Sequence, residues 1–181
     1  MATTACGARQ NAASEPPPTT QPTSTSQTSS PAIGGESAPP SQDNPCTTDL
    51  LTGSVQSMGA DAGNRSAILV VTNKSRQTCT LWGFGSLQLL TATKQPIPTN
   101  AERDLEPVPT LVRLKPGGEA GKLLHWTVVA TGDEPTTGPC QPAAASVDVS
   151  PPDQTVPFRV DYTFGSVCDH GRLETSAYYP R

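Results

Sequence analysis

The first 45 residues of this 181-residue chain lack aromatic side chains. All eight Phe, Trp and Tyr residues lie at Trp82 or beyond, and between residues 7 and 45 Ile33 is the single branched aliphatic residue. That stretch instead holds eight prolines, seven serines and five threonines. It cannot bury enough apolar surface to offset the entropy of ordering it, so we expect residues 1–45 to be a disordered tether. The remainder, 46–181, has the size of one ordinary domain.

Long apolar runs and clusters of basic residues are also missing. The longest uninterrupted apolar run, residues 67–71, is far shorter than the roughly 20 residues that a membrane-spanning helix needs. Twelve basic and sixteen acidic residues give a net charge of −4 and are spread thinly along the chain. Without a basic stripe to neutralise phosphates, nucleic acid is not an expected partner.

Recognisable catalytic motifs are absent as well. The chain has two histidines, and it contains neither a Gly-x-Ser-x-Gly nucleophile elbow nor a phosphate-binding loop. His125 lies between Leu124 and Trp126 in a strand-like segment, where it is expected to face solvent or a neighbouring strand. His170 follows Cys168 and Asp169, a sequence typical of a turn, with a metal site as the alternative. We therefore predict no catalytic residue, no cofactor and no metal site.

Four of the five cysteines, Cys46, Cys79, Cys140 and Cys168, lie in the second part of the chain. None belongs to a Cys-x-x-Cys pair, so they do not resemble a zinc site. Four cysteines allow three disulfide connectivities, of which we favour the two sequence-local pairs, Cys46–Cys79 and Cys140–Cys168. Such bonds persist in oxidising compartments outside the cytosol. The alternative is free buried thiols in a cytosolic domain.

Cys6 stands apart from the other cysteines. Small residues precede it and Gly7 follows it, as at the end of a bacterial lipobox, although Thr3 occupies the position where Leu is usual. We predict that Cys6 carries a lipid and that residues 7–45 lift the domain off the membrane. The alternative is an unpaired cysteine in a disordered tail.

Beyond residue 46, short apolar runs alternate with turn residues, and no segment sustains the 3.6-residue period of a helix. The predicted strands cover residues 53–58, 65–72, 78–82, 86–91, 110–114, 119–130, 146–150, 158–164 and 172–177. The proline-rich segment 95–109 is expected to be a loop with edge pairing only. This pattern predicts an all-β fold, an antiparallel, immunoglobulin-like β-sandwich, with a closed barrel as the alternative.

Three aromatic residues, Trp82, Phe84 and Trp126, offer two interpretations. Exposed together, they would form a binding surface of the kind that contacts sugars or proteins. In alternating strands, however, aromatic side chains more often belong to the core.

Several motifs follow one another at defined spacings beyond residue 46: Cys46-x-x-x-Leu50-x-x-Gly53, GNRSAILVVTN at 63–73, CTLWGF at 79–84, LKPGGEA at 114–120, Leu124, Trp126, Cys140 and Cys168. Their order and spacing resemble the actinobacterial envelope family described as Domain of unknown function (DUF4232). The resemblance covers residues 46–181, and it departs from the family at residues 83–85, where Gly-Phe-Gly replaces the usual Gly-Tyr-Pro. It implies a secreted or lipid-anchored, β-rich domain and carries over no catalytic residue.

The function expected from these observations is that of a non-catalytic binding or structural module on the outer face of the bacterial cell envelope. It would be lipid-anchored or secreted, monomeric, and directed at an envelope protein or glycan. One alternative is an envelope hydrolase or transferase with an unrecognised active site, and another is an extracytoplasmic carrier of a small ligand. A cleft with convergent polar groups would favour the enzyme, and a flat aromatic patch the binder.

Overall fold

Alternating and β-branched segments form strands throughout the domain, because extended backbone places successive side chains on opposite faces. The computed structural model describes residues 43–104 and 106–181. A short 3-10 turn at Thr48–Leu50 leads into the first strand. The strands are β1 (Leu51–Asp61), β2 (Asn64–Asn73), β3 (Cys79–Leu81), β4 (Ser86–Leu90), β5 (Asn100–Arg103), β6 (Val112–Leu114), β7 (Glu119–Thr127), β8 (Ala144–Ser150), β9 (Phe158–Gly165), β10 (Arg172–Thr175) and β11 (Tyr179–Pro180).

The larger sheet has the strand order β1-β2-β7-β10-β5, and β11 also pairs with β7. Strands β1 and β2 form a hairpin whose turn places Ala62 and Gly63 at positive φ (42° and 88°), as tight hairpin turns require. Strand β5 pairs with β10 in parallel, from Asn100 opposite Arg172 to Arg103 opposite Thr175. The segment 95–109, expected to be a loop with edge pairing only, therefore supplies an edge strand.

A second sheet, β4-β8-β9, faces the larger one, and β3 and β6 form a short separate ladder. Side chains from both sheets meet in one apolar core. The larger sheet contributes Leu69 and Leu124, and the second sheet contributes Val149 and Val160. The predicted all-β, antiparallel sandwich is thus confirmed, with the β5–β10 pair as a parallel exception.

Asn73, at the end of β2, joins this strand to the turn between β6 and β7. Its fully buried side chain donates hydrogen bonds to the carbonyl oxygens of Gln77 (2.7 Å) and Leu114 (2.9 Å). Its amide oxygen accepts hydrogen bonds from the backbone and the hydroxyl of Ser75. A buried amide is costly unless its donor and acceptor groups are paired. Asn73 pairs both, and so it stabilises the end of β2 against the loop that follows and against β6.

Both favoured cysteine pairs form disulfides, which confirms the predicted connectivity. Cys46 bonds to Cys79 and Cys140 bonds to Cys168. Two disulfides in one domain indicate an oxidising, extracytoplasmic environment. None of the residues that the structure describes belongs to a helix with the length and apolar character needed to cross a membrane.

Ordered contacts begin slightly before the predicted domain start at residue 46. Pro45 forms a parallel bridge with Thr80, and the side chain of Asn44 donates a hydrogen bond to the carbonyl oxygen of Thr78. Residues 43–45, counted with the tether in the sequence prediction, therefore lie against β3. The rest of the predicted tether and Cys6 lie outside the described residues.

Candidate functional site

The three aromatic residues proposed from the sequence do not share an exposed surface. Phe84 and Trp126 are buried, with 8% and 2% exposure, and Trp82 is half-buried. The Trp126 ring packs against Tyr162 and Phe164, with centroid distances of 5.8 and 5.9 Å. For Phe84 and Trp126, the structure supports the core interpretation.

The two histidines lie on the surface, each beside a carboxylate. His125 projects from the outer face of β7, with its Nδ1 3.3 Å from Oε2 of Glu174 on β10, so it faces solvent and a neighbouring strand as expected. His170 lies in the turn before β10, and its Nε2 is 2.9 Å from Oδ1 of Asp133. This bond is the largest influence on the pair, and it raises the pKa of His170 and lowers that of Asp133.

A shallow cleft of about 170 Å³ opens on the outer face of the larger sheet, where β7 and β10 meet. The alternation of the strands turns His125 and Thr127 outward on β7, and Arg172 and Glu174 outward on β10. Trp126 also lines this cleft, although its ring packs in the core. The lining residues are Asn64, His125, Trp126, Thr127, Asp169, Arg172 and Glu174.

Arg172 organises the cleft through contacts with three carboxylates. Its Nε lies 2.9 Å from Oε2 of Glu102, its Nη2 3.0 Å from Oε1 of Glu174, and its Nη1 3.8 Å from Oδ2 of Asp169. The hydrogen bond to Glu102 is the main reason that the pKa of Arg172 is raised. Since Glu102 lies on β5 and Glu174 on β10, the parallel pairing of these strands builds this network.

A buried carboxylate fixes the loops beside the cleft. Glu134 accepts hydrogen bonds from the backbone N–H groups of Thr131, Asp169 and His170 at 2.8–2.9 Å. Its burial opposes ionisation, but these hydrogen bonds outweigh that effect and lower the pKa of Glu134 to about 2. In addition, the Thr131 hydroxyl donates a hydrogen bond to Oδ1 of Asp169 at 2.7 Å. Asp169, a residue of the cleft, is thus held by Glu134 at its backbone and by Thr131 at its side chain.

Metal-ligand atoms also cluster around Glu134. Its carboxylate lies within 4.8 Å of the sulfur atoms of Cys140 and Cys168. These sulfurs are bonded to each other, and both carboxylate oxygens already accept hydrogen bonds from the backbone. The cluster therefore consists of a disulfide and of a carboxylate that holds two loops together, and its ligand atoms are already engaged in these structural contacts.

Lys122 is a candidate that the sequence analysis did not single out. It is 1% exposed, on the core face of β7, where Ala120 and Leu124 also point. Its Nζ donates a hydrogen bond to the carbonyl oxygen of Ser176 at 2.5 Å. The alternating pattern of this segment could have indicated its burial, because it puts Lys122 on the same face of the strand as Leu124 and Trp126.

Comparison with known proteins identifies the domain without assigning it an activity. No curated protein and no solved structure matches the chain. The model of a family described as Domain of unknown function (DUF4232) matches residues 46–179, which include all four bridged cysteines and every residue of the cleft. This chain belongs to the DUF4232 family.

Proposed function

We propose that the domain is a non-catalytic binding module displayed on the outer face of a bacterial cell envelope. The observation that carries this proposal is the cleft between β7 and β10, whose polar groups are held in place before any ligand arrives. Arg172 is oriented by three carboxylates, and Asp169 is held by Thr131. Preorganised polar groups lower the entropic cost of binding.

The chemistry of the cleft favours an envelope glycan as the ligand. Its carboxylates accept hydrogen bonds from hydroxyl groups, while Asn64 and His125 donate or accept them. Glu102, Asp169 and Glu174 together outnumber the single guanidinium of Arg172. The resulting negative charge disfavours phosphate-rich ligands such as nucleic acid.

The full chain is expected to bind soluble oligosaccharides released from bacterial cell wall, and Arg172→Ala should weaken this binding about tenfold or more. The matched control is Arg159→Ala, because Arg159 forms a bidentate ion pair with Asp148 at 2.8 and 2.9 Å on the opposite sheet. Calorimetric titration measures both variants. Equal loss in both variants, or no binding by the unaltered chain, contradicts the proposed site.

We also propose that the native protein is a lipoprotein anchored through Cys6. Small residues before Cys6, Gly7 after it and the Pro/Ser/Thr-rich segment up to residue 45 support this. One acyl chain binds membranes only marginally, whereas two or more give a stable anchor. The chain, fused behind an export signal and expressed in an actinobacterial host, should partition into membranes, and Cys6→Ala should release it. An unmodified thiol at Cys6, found by mass spectrometry in soluble protein, contradicts the anchor.

A hydrolase or transferase is the second candidate, and the His125–Glu174 pair is the observation that favours it. A histidine hydrogen-bonded to a carboxylate is the usual arrangement of a general base. Within residues 43–104 and 106–181, neither histidine hydrogen-bonds to a hydroxyl group. A hydrolase would therefore have to activate water, and a transferase a hydroxyl group of its acceptor substrate. Release of new reducing ends from the same oligosaccharides, abolished by His125→Gln, would establish this function instead of binding alone.

A further inference from the structure

Lys122 lies in the interior with few polar partners among the residues that the structure describes. Within the described part of the chain its Nζ makes one hydrogen bond, to the carbonyl oxygen of Ser176 at 2.5 Å. The ring centroids of Phe84 and Tyr178 are 5.2 and 5.3 Å away. No carboxylate in the described part of the chain comes within ion-pair distance of it. A buried ammonium without a counter-ion is costly, because water solvates the charge far better.

The charged groups around Lys122 come from several elements and do not compensate it. Arg103 on β5 contacts the same Phe84 ring, 5.2 Å from its centroid, and adds a second positive charge. Arg113 on β6 is exposed. On β7 itself, Glu119 and His125 alternate onto the opposite face. A further titratable neighbour is the phenol of Tyr178, and burial raises its pKa, so it stays neutral.

Burial, reinforced by Arg103, lowers the pKa of Lys122 from 10.5 to about 7. The Phe84 and Tyr178 rings act in the opposite sense, because aromatic faces attract cations. The side chain therefore exchanges between amine and ammonium near neutral pH, in the middle of a packed core.

Residues 83–85 and Tyr178 cover Lys122, and we call them the Phe84 cover. Phe84 lies between two glycines with positive φ, Gly83 at 92° and Gly85 at 67°. Gly85 is packed so closely on Ser150 that a Cβ there would lie 2.3 Å from its carbonyl oxygen, which fixes one end of the turn. At the other end, the backbone N–H of Tyr178 donates to the carbonyl oxygen of Gly83 at 2.9 Å.

We propose that the Phe84 cover is a proton-sensitive gate, which opens at the Gly83–Tyr178 hydrogen bond to admit water to Lys122 when its side chain is charged. Opening allows water to hydrate the ammonium group, which lowers its free energy. In return, one backbone hydrogen bond and the contacts with the two rings are lost. The open form would present a cation and two aromatic rings at the surface. Arg103, which also contacts the Phe84 ring, is exposed, so the gate lies close to the protein surface.

The Tyr178 amide reports this opening directly, since its hydrogen bond closes the gate. In the open form Lys122 regains its ordinary pKa, so the opening constant should be about tenfold larger at pH 6 than at pH 8. Amide hydrogen exchange measured by NMR on the full chain, corrected for the intrinsic pH dependence, gives this constant. The Ile97 amide, bonded to Leu89 at 2.9 Å elsewhere in the fold, serves as the reference within the same protein.

Lys122→Met should abolish the change in opening constant between pH 6 and pH 8, whereas Lys115→Met, at an exposed position, should preserve it. The proposal is overturned if the Tyr178 amide exchanges only with global unfolding, that is, with the same free energy as the slowest core amides. It is equally overturned if the opening constant of the unaltered chain is the same at both pH values, a test that needs no variant to fold.

Discussion

Replacing Lys122 by methionine is expected to stabilise the domain by about 2–4 kcal/mol at pH 7. Methionine fills a similar volume without a charge, so the cost of desolvating the ammonium disappears. The gain is smaller than the full pKa shift implies, because the hydrogen bond to Ser176 and the contacts with the Phe84 and Tyr178 rings are lost. Denaturant unfolding followed by fluorescence measures the difference.

The pH dependence of stability provides the control for this prediction. Lys122 has a lower pKa in the folded chain than in the unfolded chain, so the unfolded chain binds more protons between about pH 7 and 10.5. Through this residue, the free energy of unfolding should rise with pH across that window and level off below it. Lys122→Met should remove this rise, and Lys115→Met should not. A Lys122→Met variant less stable than the unaltered chain at pH 7 would refute the desolvation argument.

Removing the Cys46–Cys79 disulfide by double substitution with alanine is expected to lower the melting temperature by about 10–15 °C. Both cysteines belong to the core, with 1% and 0% exposure. The bond closes a loop with a sequence separation of 33 and holds the segment before β1 against β3. The melting temperature therefore falls for two reasons: the unfolded chain is less constrained, and the core is less well filled.

The Cys140–Cys168 pair is the matched comparison, since its sequence separation of 28 gives nearly the same loop entropy. Cys140 lies nearer the surface, and Glu134 anchors the same loops through its backbone hydrogen bonds. We expect the corresponding double alanine variant to melt at a higher temperature than the Cys46/Cys79 variant. Calorimetric scans of the two variants test this order, and the reverse order would contradict the prediction.

The fold class and the disulfide pairing could be predicted from the sequence because both depend on local patterns. Alternation in segments such as 158–164 predicts strands wherever one face is buried. Each disulfide joins two cysteines that follow one another in the sequence, with separations of 33 and 28. The segment 95–109 was harder, since its prolines favour a loop, and the pairing of β5 depends on β10, some 70 residues later.

The sequence by itself therefore determined that this chain forms a disulfide-bonded β-sandwich of the DUF4232 family, because side-chain alternation and motif spacing are carried by neighbouring residues. The tertiary structure decided which side chains meet. Arg172 contacts carboxylates of β5, of β10 and of the loop between β9 and β10, and these contacts exist only because those elements pack together. Likewise, alternation places Lys122 on the core face, but only the packing of Phe84 and Tyr178 over it removes its water and brings its pKa near neutrality.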